Sequence, residues 1–149
     1  MAAFGRPLSL GEALRDTARA MSQKNVDATH RFTDAAVRGD YGAAAAECSP
    51  DVEIDDTDIP ESTGRDSVAA WLSRWDEAWV SWRLEDLDVR PVGKDRTISL
   101  FKMIATGKES GIELARHDAV LADFRGGKIV RIGYYNDQSQ ALRAAGLSE

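Results

Sequence analysis

The sequence predicts an α+β protein in which helices come first and an antiparallel sheet follows. Helical periodicity dominates the N-terminal half, with three patterns before residue 50 and one after residue 63. From Arg83 onward the pattern becomes that of strands, and the last two runs flank the pair Gly126-Gly127. A glycine pair supplies the positive φ angles that a two-residue hairpin turn requires. Helices and antiparallel strands that are segregated along the chain indicate the α+β class.

Composition limits the possible partners. A chain of 149 residues is suited to one domain with a real core. The net charge of −6 and the pI near 5.0 argue against nucleic acid, which requires a clustered basic surface. The single cysteine, Cys48, allows no internal disulfide and suits a reducing compartment. Neither a signal-peptide core nor a membrane-spanning apolar run is evident. These features predict a cytoplasmic protein with no nucleic-acid or membrane partner.

Two separate helices are predicted at the N-terminus. Ser9 and Glu12 have the spacing of a capping box and begin the first helix. A second helical pattern runs from about Ser22 to Arg38, ends at Gly39, and includes His30 on or near its apolar stripe. A third, short helix covers residues 41–47. We therefore predict a helical N-terminal extension over residues 1–21 and a single domain over residues 22–149.

A strand that ends in carboxylates precedes a helix rich in tryptophan. Residues 51–56 alternate as a short strand that finishes at Asp56. The next helix is predicted to start at a Thr63 cap and to carry Trp71, Trp75 and Trp79 at helical spacing. Such a stripe is either a core-facing seam or, for one or two of the indoles, the wall of a pocket for a flat hydrophobic ligand.

The last hairpin has two partly apolar faces. A tight turn predicts three facing pairs, namely Leu121 with Ile132, Ala119 with Tyr134, and His117 with Asn136. On the opposite face this register places Arg116, Asp118, Arg131 and Tyr135. Because neither face is purely polar, we expect cover on both sides, by helices on one and by a second subunit on the other.

Several segments, in this order and at these spacings, resemble the SnoaL-like branch of the nuclear transport factor 2-like superfamily. They are Arg38-Gly39-Asp40, Ser49-Pro50-Asp51-Val52-Glu53, Thr63-Gly64-Arg65-Asp66, Ser110-Gly111-Ile112-Glu113, Gly127-Lys128-Ile129-Val130 and Tyr135-Asn136-Asp137. The set covers roughly residues 22–147. The resemblance implies a cone-shaped α+β fold in which a curved, mostly antiparallel sheet wraps around the helices and encloses an apolar pocket. It also implies a homodimer through the outer sheet face, where Arg116, Asp118, Arg131 and Tyr135 would lie.

The resemblance also suggests site residues. Asp56 stands where the general base of ketosteroid isomerase stands, although it could equally cap a loop. Phe32 replaces that enzyme's tyrosine, and its neutral aspartic acid falls near Ala119, so isomerase chemistry proper is not expected. The predicted catalytic residues are Asp56, His117 and Tyr134. The predicted ligand-binding residues are His30, Phe32, Trp71, Trp75, Ala119, Leu121, Ile132 and Asn136.

His117 has two possible roles, as a proton relay or as an interior histidine without a catalytic task. Two histidines without ligand spacing predict no metal site, and no nucleotide or cofactor motif is present. The function predicted is binding of a hydrophobic small molecule, or cofactor-independent acid–base chemistry (cyclisation, isomerisation or hydration) on a hydrophobic cyclic substrate. The alternative is a non-catalytic ligand-binding or protein-association module of the same fold.

Overall fold

A single long helix opens the fold. The computed structural model describes residues 7–56 and 59–147, with only the backbone described for residues 59–61. Helix α1 spans Leu10–Arg38; the Ser9 hydroxyl accepts the Glu12 N–H at 3.1 Å, and Gly39 ends the helix with φ 78°. The predicted break near Ser22 is wrong, because no glycine or proline interrupts the helix there. Residues 1–6 of the predicted N-terminal extension lie outside the described residues.

The remaining elements form one mixed sheet with three further helices. The helices are α2 (Tyr41–Ala46), α3 (Arg65–Glu77) and α4 (Gln138–Ala144), and the strands are β1 (Cys48–Asp56), β2 (Ile59–Thr63), β3 (Trp79–Val92), β4 (Arg96–Gly107), β5 (Glu113–Arg125) and β6 (Lys128–Tyr135). The strand order is β2-β1-β6-β5-β4-β3, and only β1 and β6 run parallel. The predicted antiparallel sheet is confirmed for β3 to β6, whereas β2 was not predicted. Within the described chain, no helix is long and apolar enough to cross a membrane.

The tryptophan helix is shorter than predicted. Helix α3 carries Trp71 and Trp75 and ends at Glu77, so Trp79 is the first residue of β3 and not the third member of a helical stripe. The N-cap is Gly64, not Thr63, and it makes no side-chain capping bond. The chain reverses so tightly after Glu77 that Trp75 still packs edge-to-face against Trp79, at 5.9 Å between ring centroids.

Each face of the sheet is covered by helices. Helices α1, α2 and α3 pack on the inner face of the sheet. The main core lies between these helices and the sheet, and it includes Phe32 of α1 and Val68 and Trp71 of α3. On the outer face a smaller core joins α4, through Ala141 and Leu142, to the strands. The expected cover on both sides is therefore present, and part of the outer cover comes from this chain's own C-terminal helix.

A β-bulge sets the register of the last hairpin. Gly126 and Gly127 have φ angles of 59° and 80°, and Arg125 pairs with Lys128 across this two-residue turn. Farther from the turn Phe124 pairs with Ile129 but Asp123 pairs with Arg131, so Val130 is an extra residue in β6.

The bulge lets residues 129 and 132 bury their side chains together. Ile129 and Ile132 lie three apart, yet both are buried and both face inward. A regular strand would turn one of them outward. The predicted register is therefore wrong beyond the bulge: Val120 faces Tyr134 and Ala122 faces Ile132. This one-residue shift exchanges the two faces of β5.

Candidate functional site

A largely apolar cavity of about 70 Å³ lies between α1, α3 and the inner face of the sheet. Its lining residues are Thr29, Phe32, Thr33, Ala36, Val37, Trp71, Leu72, Trp75, Trp82, Leu84, Ser99, Phe101, Val120, Ala122, Ile129, Ile132 and Tyr134. None of these side chains is charged, and the polar groups among them are hydroxyls and indole N–H groups. The cavity therefore suits a mainly apolar ligand with few hydrogen-bonding atoms.

Tyr134 lies at the centre of the aromatic wall. Its ring centroid is 6.1 Å from that of Trp71, 5.5 Å from that of Trp75 and 6.2 Å from that of Phe101. Trp71 and Phe101 are buried, whereas Trp75 is half-buried and Val37 is 47% exposed. The closed end of the cavity thus lies near Trp71, and the mouth lies between the C-terminal part of α1 and the Trp75 region.

Behind this wall an ion pair holds the Tyr134 hydroxyl. Asp118 is fully buried, and its carboxylate accepts bonds from Arg116 Nε at 2.6 Å and from the second guanidinium nitrogen at 2.9 Å. The Tyr134 O–H donates a short hydrogen bond to the same carboxylate. Arg116 and Asp118 lie on the same face of β5, and the register shift places Tyr134 of β6 on that face too. The three side chains therefore form one hydrogen-bonded Arg116–Asp118–Tyr134 unit.

This unit fixes the protonation of Tyr134. Burial raises the pKa of the Tyr134 hydroxyl far above its usual value, and the negative charge of Asp118 raises it further. The hydrogen bond to Asp118 in turn raises the pKa of Arg116. Because the Tyr134 proton is directed to Asp118, only the hydroxyl lone pairs remain for a ligand in the cavity. Tyr134 is therefore suited to accept a hydrogen bond and not to act as a base.

The Trp71 side chain separates Asp56 from the cavity. It is 5% exposed, it accepts a hydrogen bond from Trp71 Nε1 at 2.9 Å, and it pairs with Tyr134 across β1 and β6. The Trp71 ring lines the cavity while Asp56 does not. A ligand would therefore reach this carboxylate only if the Trp71 indole moved.

The predicted site residues divide into two groups. Five of them line the cavity: Phe32, Trp71, Trp75, Ile132 and Tyr134. The others do not line it: Asp56, His117, His30, Ala119, Leu121 and Asn136.

The misplaced residues have two physical causes. The β-bulge turns His117 outward, where it is exposed opposite Lys102, and it places Ala119 and Leu121 in the outer core against α4. On α1 the buried face passes through Ala28, Thr29 and Phe32, and this leaves His30 exposed.

Two of the four residues that were predicted to face outward lie on the inner side of the sheet instead. The Asp118 side chain points inward, and Arg116 binds it from the same face of β5. The expectation that this pair faces outward is therefore wrong. Arg131 does lie on the outer side, where it binds Glu53 at 2.9 Å and Asp55 at 2.8 Å. Tyr135 packs against the outer core.

Sequence reasoning missed the β4 and β5 part of the lining. Ser99 and Phe101 come from β4, and Val120 and Ala122 come from β5. Neither strand has a clear signal in the sequence. In β4 the inner residues alternate with Ile98 and Leu100, which pack in the outer core, and β5 likewise carries apolar side chains on both faces.

Comparisons with known proteins agree with this architecture. The model of the SnoaL-like domain matches residues 12–132. One similar structure is that of a proposed polyketide cyclase from Xanthomonas campestris, which is 21% identical in sequence. The alignment covers 84% of this chain and 98% of that chain, with a TM-score of 0.70. A nuclear transport factor 2-like protein from Burkholderia xenovorans is also 21% identical, with coverages of 83% and 96% and a TM-score of 0.68.

A third structure, from Catenulispora acidiphila, has a ketosteroid isomerase-like fold and is in complex with trimethylamine. It is 19% identical, covers 80% of this chain and 92% of its own, and has a TM-score of 0.67. A comparison with curated proteins finds no significant match. The structural neighbours support the α+β cone fold, and the family model, which matches most of the sequence, shows that the chain belongs to the SnoaL-like family.

Proposed function

We propose that the protein binds a small, neutral, mainly apolar molecule in the cavity beneath Tyr134. The observation that carries this proposal is the lining, which is rich in aromatic rings and contains no charged side chain among the side chains that the structure describes. Apolar cavities with a few directed polar groups are the usual sites of small-molecule ligands. A charged ligand would lose its hydration there without gaining a counter-charge, so a neutral ligand is favoured.

The size of the cavity restricts the ligand further. Its volume of about 70 Å³ is roughly half that of an engineered apolar cavity of about 150 Å³ that binds benzene in another protein. We therefore propose a ligand with a single ring, whose entry requires the half-buried Trp75 and Trp82 to move outward. The complex of the Catenulispora acidiphila neighbour with trimethylamine is consistent with a ligand this compact.

Titration with toluene and phenol tests the binding function. Because Trp71, Trp75 and Trp82 line the cavity, tryptophan fluorescence should report binding, and calorimetry should confirm a Kd on the order of 0.1–1 mM for so few ligand atoms. Trimethylamine at the same pH is the cationic comparison and should bind more weakly than either neutral ring.

A matched pair of variants locates the binding. Ala122→Leu fills the cavity from β5, while Ala115→Leu makes the same change at an exposed position of that strand. We expect Ala122→Leu to weaken binding of toluene at least tenfold and Ala115→Leu to leave it unchanged. Equal affinities in the two variants, with both folded by circular dichroism, would place binding elsewhere and contradict the proposal.

Cofactor-independent acid–base chemistry in the same cavity is a second candidate. The observation that favours it is the pairing of Asp56 with Tyr134 across β1 and β6, which places a buried carboxylate in register with a residue that lines the cavity. Movement of Trp71 would expose Asp56 as a base, and Tyr134 would orient the substrate. Such a pair suits cyclisation, isomerisation or hydration of a cyclic ketone. His117 has no part in it, because it is exposed on the outer side.

Solvent-deuterium exchange tests this candidate without knowledge of the natural substrate. Cyclohexanone in D₂O loses its α-protons when a base forms the enolate, and proton NMR follows the loss. We expect an accelerated exchange in the wild type and a decrease of about 10²-fold in Asp56→Asn, the scale that a general base supplies. Exchange at the buffer rate in the wild type would leave binding as the function.

We also propose that the protein forms a homodimer through its outer sheet face, near Arg131 and Tyr135. Both residues lie on the outer side of the sheet, away from the cavity, and the Arg131 side chain is 39% exposed. Sedimentation of the wild type should give a dimer mass at submillimolar concentration, and a monomer mass throughout would contradict the proposal. The cytoplasmic location stays a prediction.

A further inference from the structure

Ser99 carries a hydroxyl that the fold leaves without a partner. The residue lies on β4 opposite Val120 of β5, is 2% exposed and lines the cavity. No hydrogen-bond partner for its Oγ exists within residues 7–56 and 59–147. Buried hydroxyls are nearly always bonded, so an unbonded one directed into a cavity calls for an explanation.

Neighbouring hydroxyls in the same layer are fully bonded. Thr97, two residues earlier on the same face of β4, has its Oγ1 2.8 Å from that of Thr29. Thr29 in turn donates to the Asn25 carbonyl at 2.9 Å. Thr29 and Thr97 thus satisfy each other between helix and sheet, and Ser99 is the next inward-facing position of β4. An alanine at 99 would lack only the Oγ atom and would leave no unbonded polar atom there.

We propose that Ser99 Oγ is the polar anchor for the ligand, a ring with one hydroxyl or carbonyl group. This inference rests on the proposed binding function and specifies its ligand class. A serine hydroxyl can both donate and accept, so it can bind either a carbonyl or a hydroxyl oxygen. Tyr134 accepts only, because its proton is held by Asp118. With no charged side chain in the lining, a carboxylate or an ammonium group has no counterpart at this position.

Phenol and toluene form the matched pair of probes, since they differ by a hydroxyl in place of a methyl. We measure the Kd of each for the wild type, for Ser99→Ala and for Ser81→Ala, the last being an exposed serine on β3. Ser99→Ala should weaken phenol binding roughly tenfold and change toluene binding by less than twofold, because only phenol loses a hydrogen bond. Ser81→Ala should change neither.

The ligand-free proteins supply an independent readout. Loss of an unbonded buried hydroxyl should raise the unfolding midpoint of Ser99→Ala by a few degrees relative to the wild type. A lower midpoint would mean that Ser99 has a structural partner and would overturn the inference.

The outcomes separate the two proposals. If both probes bind, Ala122→Leu blocks both, and Ser99→Ala leaves the ratio of the two Kd values unchanged, this inference is wrong and the binding function stands. If neither probe binds the wild type, the binding function and the inference built on it both fall.

Discussion

Arg116 should contribute far more to the free energy of unfolding than Arg131, whose ion pairs are exposed. Both arginines bind carboxylate oxygens through two hydrogen bonds of 2.6–2.9 Å. The carboxylate of Asp118 is 0% exposed, however, whereas those of the Arg131 partners, Glu53 and Asp55, are 47% and 50% exposed. Breaking a buried pair leaves an uncompensated charge and costs about 3–5 kcal/mol. We take about 3 kcal/mol for Arg116→Met, the low end, because Arg116 is 28% exposed and water can partly replace it.

Urea unfolding measures the difference directly. With a slope of about 2 kcal/mol per molar, a loss of about 3 kcal/mol lowers the midpoint by about 1.5 M. Arg131→Met is the matched control and should cost below about 1 kcal/mol, or less than about 0.5 M, because its pairs are exposed. Similar midpoints for the two variants would refute the argument that the register shift buries a charge.

A double-mutant cycle identifies the cause of the loss. If the uncompensated Asp118 charge is responsible, adding Asp118→Asn to Arg116→Met should restore part of the stability, since an amide is less costly to bury than a carboxylate. Additive losses would instead indicate that Arg116 acts through packing of its aliphatic part.

Further predictions concern buried titrating and hydrogen-bonding groups. Burial raises the pKa of Cys48 from 9.0 to about 12. The contribution of this thiol to the free energy of unfolding is therefore full below pH 9 and falls by about 1.4 kcal/mol per pH unit as the pH rises toward 12. In urea unfolding, the free energy of Cys48→Ala should fall with pH less steeply by that amount. The pKa of Tyr134 is also raised, so Tyr134→Phe should remove a loss that begins above pH 10. Trp71→Phe removes a donor from buried Asp56 and should cost about 1–3 kcal/mol by the same assay.

The fold could be predicted from local signals wherever those signals were unambiguous. The Gly126-Gly127 turn, the Ser9 cap and the Gly39 stop all stand where the sequence indicated. The break near Ser22 was wrong because a change of apolar pattern is not a helix terminator when no breaker residue accompanies it. The parallel pairing of β1 with β6 joins residues about 80 positions apart, and local periodicity contains no information on such a contact.

On the sheet, the predicted cavity residues came from the family resemblance and not from the pattern of the strands. Tyr134 and Ile132 were assigned to the pocket, and both line it. On β5 the apolar residues alternate on both faces, because one face packs on the cavity and the other on α4. With two plausible faces, the choice depended entirely on the register, and the register depended on the unseen bulge at Val130.

This bulge has a chemical consequence as well as a geometric one. In the register without it, His117 would face the cavity and give it an imidazole that can both donate and accept a hydrogen bond. In the observed register Asp118 takes the inner side, where its carboxylate forms an ion pair with Arg116 and accepts a hydrogen bond from the Tyr134 hydroxyl. The cavity thereby gains a fixed acceptor and no titrating side chain among its lining residues at neutral pH. A site of this kind is better suited to holding a neutral ligand than to moving protons, unless Trp71 gives way and admits the substrate to Asp56.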